Sequence, residues 1–113
     1  MNYQVITSKG AFVTVFAPDR DEIERLQPGD QALDCFGRWR EVAAISYRGV
    51  SPVDGAAYVG FYTPLGDSGQ VSNSYREGEI VRTVSLTGQF PSAEIRLLQR
   101  QVNAARAAGR TLP

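Results

Sequence analysis

The chain has 113 residues, twelve basic and twelve acidic, with no histidine and one cysteine. A chain of this length builds one modest core, so a single domain is expected. Its balanced charge argues against general attraction to nucleic acid or membrane. The missing histidine removes the commonest general base, the Ser/His and Cys/His pairs and the commonest metal ligand together, so no structural zinc site and no metal or other cofactor is expected.

Asn2 to Ser8 and Ala11 to Phe16 are β-prone runs separated by Lys9-Gly10, the signature of a tight hairpin. After Pro18, the charged stretch Asp19 to Leu26 carries Ile23 and Leu26 three apart and predicts two helical turns capped by Asp19. Gln27-Pro28-Gly29-Asp30 has type II turn chemistry, because Pro28 presets φ at the second position and Gly29 supplies positive φ at the third.

Gln31 to Phe36 and Arg38 to Tyr47 predict a second hairpin around Gly37, with Trp39, Val42, Ile45 and Tyr47 as packing residues. Their spacing breaks strict alternation, which a bulge near Arg40 and Glu41 would explain. Ala56 to Thr63 predicts a strand with Tyr58 and Tyr62 on one face and Val59 and Phe61 on the other. A glycine-rich loop, Pro64 to Gly69, leads to a segment with Val71, Asn73 and Tyr75 on one face and Ser72, Ser74 and Arg76 on the other. Glu77-Gly78 turns the chain into a predicted strand from Glu79 to Leu86, where Arg82 shares a face with Ile80, Val84 and Leu86.

From Pro91 the apolar period becomes helical: Ser92 is the expected cap, Glu94 suits the positive helix end, Ile95, Leu98, Val102 and Ala105 form a stripe, and Gly109 is the stop. The whole is an α+β chain, a small antiparallel β-sheet or partly open β-barrel over residues 1–87 followed by a C-terminal α-helix over residues 91–109. Cys35 alone excludes an internal disulfide framework and suits a reducing cytoplasm. The sequence has no secretory pattern and no apolar run near the roughly 20 residues of a membrane span.

An arginine on an apolar strand face is costly unless it meets a carboxylate, reaches solvent or faces a ligand. Arg82 is in that position: Asp34, Glu41 or Glu79 are candidate partners, and an anionic ligand is the alternative. Lys9 is the only lysine, and arginine is the better phosphate reader, although a GC-rich genome produces the same bias without any function. Ser72, Asn73 and Ser74 offer donors and acceptors suited to ribose or a base edge, while such a cluster is also ordinary in an edge strand. Tyr58, Phe61, Tyr62 and Tyr75 lie on adjacent strands, where a ring either stacks on a purine or packs in the core. Glu77 and Glu79 carry no mark of an acid/base pair.

The small β body, Phe61-Tyr62-Thr63, Ser72-Asn73-Ser74-Tyr75, Val81-Arg82-Thr83 and the C-terminal helix resemble the phage-encoded anti-Thoeris sponge proteins. That resemblance implies a non-enzymatic homo-oligomer in the cytoplasm of the host bacterium, sequestering a cyclic ADP-ribose signal. It implies an aromatic and Asn73 around the nucleotide and arginines on the pyrophosphate. The candidate ligand residues are Phe61, Tyr62, Ser72, Asn73, Tyr75, Arg76 and Arg82. The alternative is a phage or plasmid protein-interaction module whose Trp39 and tyrosines engage a host protein.

Overall fold

The computed structural model describes residues 1–81 and 90–109. β1 (Asn2–Ile6) and β2 (Phe12–Phe16) pair antiparallel, with Gly10 at φ +82° closing the turn between them. α1 (Arg20–Arg25) begins at Asp19, whose carboxylate accepts the Glu22 N–H at 2.8 Å while the Glu22 carboxylate accepts the Asp19 N–H at 3.0 Å. This reciprocal capping box satisfies two helix-end donors. Asp30 N–H donates to the Gln27 carbonyl at 3.1 Å, and Gly29 sits at φ +94°, as the Pro-Gly turn requires.

The second expected hairpin is divided differently. β3 (Gln31–Leu33) pairs with β4 (Trp39–Glu41), and the chain then changes sheet at Val42-Ala43 to enter β5 (Ala44–Val50). Val42 N–H bonds back to Asp30, whereas Ala43 N–H bonds across to Tyr62, so these two residues serve two different sheets. The irregularity expected near Arg40 and Glu41 instead lies between Ile45 and Tyr47. Trp39 and Tyr47, expected to pack, are 54% and 51% exposed.

β6 (Ala57–Pro64) is the centre of a three-stranded antiparallel sheet, with β5 on one side and β7 (Gln70–Arg76) on the other. Among the described residues the strands form three small sheets and none closes into a barrel. Glu79 to Val81 are not in a strand, and the remainder of the strand expected to run to Leu86, including Arg82, lies outside the described residues.

α2 (Ser92–Ala107) starts after Pro91, so Ser92 is its first helical residue and not its cap. Pro91 requires no partner for an N–H it lacks. Ile95, Leu98 and Val102 are buried, and Leu98 and Val102 pack with Tyr3, Val5 and Val15 of the first hairpin and with Ile80. A second cluster joins Ile23 of α1 and Leu26 just after its end to Val59, Phe61 and Tyr75 of the three-stranded sheet. Each side chain of this kind contributes about 1.5–3 kcal/mol by leaving water. No helix among the described residues is long and apolar enough to cross a membrane.

Candidate functional site

The period of two divides the candidate residues between the sheet's faces. Phe61, Asn73 and Tyr75 point inward. Phe61 has no exposed surface and meets the Tyr75 ring edge-on, with centroids 4.9 Å apart. The Tyr75 hydroxyl accepts the Leu33 N–H at 2.7 Å and donates to the Leu33 carbonyl at 2.9 Å, taking the place of a neighbouring strand for β3. Burial pushes its phenol well above the ordinary range, so it stays protonated. Asn73 is equally committed: its Oδ1 accepts the Cys35 N–H at 2.8 Å, and its Nδ2 donates to Thr63 Oγ1 at 3.0 Å and the Val71 carbonyl at 3.2 Å.

The outer face has a different character. Tyr58 lies opposite Arg76, Gly60 opposite Ser74, and Tyr62 opposite Ser72. On the other side of β6, Tyr47 is opposite Gly60 and Gly49 opposite Tyr58. Ile45 pairs with inward-facing Phe61, and regular alternation would send Tyr47 inward as well. The extra residue, Ser46, reverses the sense and places Tyr47 outside. A Cβ on Gly60 would collide with the Tyr47 ring, and one on Gly49 would lie 2.6 Å from the Tyr58 hydroxyl. Both tyrosines therefore lie across strand glycines, with ring centroids 5.9 Å apart and tilted at 53°. The glycines create the shallow beds that hold the rings down.

A cleft of about 440 Å³ runs from this face around β7 to the β3–β4 turn, with Tyr47, Tyr58, Ser72, Ser74, Arg76 and Glu79 among its walls. Asn73 and Tyr75 also border it, whereas Phe61 and Tyr62 do not. The Arg76 guanidinium pairs with Asp54 and lies 4.0 Å from Glu79, so its charge is shared. The Ala56 N–H and the Arg76 cation hold the Asp54 carboxyl below the usual range.

The other reactive types nearby are occupied. Glu77 bonds Arg20 at 3.0 Å, Arg106 at 3.3 Å and the Ala57 N–H at 3.1 Å. Partial burial pushes its carboxyl upward, but the Ala57 N–H and the two guanidiniums outweigh this and hold it below its ordinary value. It is a poor base. Burial and the Asp34 charge push the Cys35 thiol up, away from the reactive thiolate. Asp34 itself accepts the Phe36 and Arg38 N–H groups at 2.9 Å each and holds the β3–β4 turn. Among the described residues, no cluster of three or more Cys, Asp or Glu side chains is arranged to hold a metal ion.

The structure thus brings Ser72, Asn73, Tyr75 and Arg76 to one cleft, buries Phe61 behind it and leaves Tyr62 on the outer face beside it. Ser74 and Tyr58, weighed in sequence as ribose or base-edge and ring groups, also line it, and Tyr47 and Glu79 join the walls without being ligand candidates in the sequence. The usable signal was glycine inside two adjacent strands, Gly49 and Gly60, each beside a tyrosine position. Compared with known protein families, curated proteins and solved structures, the chain matches none of them.

Proposed function

We propose that this protein binds a ligand carrying both a planar ring and phosphate, of the cyclic ADP-ribose class, and sequesters it without degrading it. In this reading it is a phage protein that withholds a host's anti-phage signal. One observation carries the reading: a single cleft gathers two tyrosines seated over strand glycines, two outward serines and Arg76. An exposed ring face supports stacking, serine hydroxyls suit ribose, and a guanidinium suits phosphate oxygens. Tyr47 and Tyr58 take the stacking role, Ser72 and Ser74 the sugar, and Arg76 the phosphate, with Arg82 as the second cation that a pyrophosphate calls for.

Phe61, Asn73 and Tyr75 then serve as the frame behind the cleft. Binding without chemistry fits the commitment of Glu77 to two arginines and the absence of histidine from the chain. Association of copies through the alanine-rich end of α2 belongs to the same reading, since small residues permit close helix approach.

The test is to incubate the purified protein with cyclic ADP-ribose isomers, remove it by filtration, heat-denature it and analyse both fractions by chromatography and mass spectrometry. Depletion followed by release of intact ligand supports the proposal. Altered product would replace it with an enzyme, and absence of depletion would overturn it.

A further inference from the structure

A second cleft, of about 420 Å³, lies between α1 and the β3–β4 hairpin and shares none of the outer-face tyrosines. Its apolar wall is a run of edge-on aromatic contacts leading from the core to the surface. Phe61 meets Tyr75, Tyr75 meets Phe16 at 5.6 Å, and Phe16 meets Trp39 at 5.5 Å. Trp39 is therefore held in place while remaining 54% exposed. A ring fixed in this way offers contact area at little cost in conformational freedom.

The polar wall is acidic. Asp21, Glu22 and Asp30 line it with a single cation, Arg25, whose Nε is tied to Asp21 at 2.9 Å. Glu22 is occupied in the capping box of α1 and is paired with the Met1 ammonium. Asp30 accepts the Gln27 N–H at 3.0 Å through one carboxylate oxygen, and the other has no partner among the described residues. With Asp21 paired to Arg25 and Glu22 to the Met1 ammonium, Asp30 is the carboxylate of this cleft that no cation pairs among the described residues.

We infer that this cleft receives an arginine or lysine side chain from a basic segment of a partner protein. The aliphatic stem lies along Phe16 and Leu26, the cation faces the Trp39 ring, and its N–H donors reach the open oxygen of Asp30. An indole face and a carboxylate both attract a cation. An apolar side chain would desolvate Asp30 without recompense, and a phosphate would be repelled, so the occupant differs from the ligand of the first cleft.

Trp39 is the only tryptophan, which makes its fluorescence a reporter of this site alone. The experiment titrates the protein with acetyl-triarginine amide and with its citrulline counterpart, which keeps the shape and loses the charge. A saturable fluorescence change with the arginine peptide is expected. Affinity should be at least fivefold weaker for the citrulline peptide, and the arginine peptide should bind Asp30→Asn at least fivefold more weakly. Asn retains an oxygen for the Gln27 N–H, and circular dichroism checks that the variant folds. Arg76→Ala should bind the peptide as the parent does. No saturable change, equal affinity for the two peptides, or an unaffected Asp30→Asn variant would overturn the inference.

Discussion

The inner and outer faces of β6 and β7 are built from alternating residues of the same two strands, yet they solve opposite problems. Inside, the Asn73 amide and the Tyr75 hydroxyl are engaged by Leu33, Cys35, Thr63 and Val71, and the Phe61 ring meets Tyr75 edge-on. Outside, Tyr58, Ser72 and Ser74 have no side-chain hydrogen bond among the described residues, and Tyr47 remains half exposed. A residue type suited to binding is therefore uninformative until its face is known: Asn73 and Ser74 are adjacent in sequence, and one is a framework bond while the other is an open donor.

The sharpest way to break this comparison is to change neighbours on opposite faces. Phe61→Ala should cost about 3–5 kcal/mol through the lost burial and the cavity left behind. Tyr62→Ala should cost much less, and equal losses in thermal or denaturant unfolding would show that the faces are not distinct. Asn73→Ala leaves the partly buried Cys35 N–H without its acceptor and the buried Thr63 hydroxyl without its donor, and should cost about 1–3 kcal/mol. Ser74→Ala should leave stability within about 0.5 kcal/mol, as exposed substitutions do.

Glu77, beyond the end of β7, extends the contrast to pH. Replacing it by Gln should cost about 1–2 kcal/mol at neutral pH, because two charge-assisted contacts weaken. Its folded pKa is depressed, so its contribution is fully present above the ordinary value of 4.5 and is lost as pH falls through the lower folded value. The stability difference between parent and Glu77→Gln should therefore shrink through this range and vanish at lower pH. A difference independent of pH would contradict the assigned ion pairs. A further small effect concerns Asp54, which shares the Arg76 guanidinium. Asp54→Asn should raise affinity for cyclic ADP-ribose about threefold by releasing that cation, and isothermal titration would register it.

Much of the architecture was legible because local chemistry and tertiary structure agree. The Asp19 helix cap, the Pro28-Gly29 turn, the alternation of Tyr58 to Thr63 and the apolar stripe of α2 all depend on neighbours within a few residues. The break at Val42-Ala43 was not legible, since it depends on Asp30 and Tyr62 recruiting adjacent N–H groups into different sheets. The same limit explains Tyr47. Only the unpaired Ser46 decides which face it takes, and an apolar-looking aromatic in a strand reads as core by default. Residue type alone makes Phe61 and Asn73 ligand candidates, whereas the pairing register turns both inward, with Phe61 fully buried and Asn73 bonded at the inner border of the cleft.

The central claim is that ligand recognition belongs to the outer face. The most direct test is the equilibrium affinity of parent, Tyr47→Ala and Arg76→Ala for cyclic ADP-ribose isomers, measured by calorimetry, with unfolding curves recorded on the same samples. The account predicts that the parent binds at least one isomer and that both variants remain folded with affinity at least tenfold weaker. Folded variants with undiminished affinity, or a parent that binds none of the isomers, would contradict it.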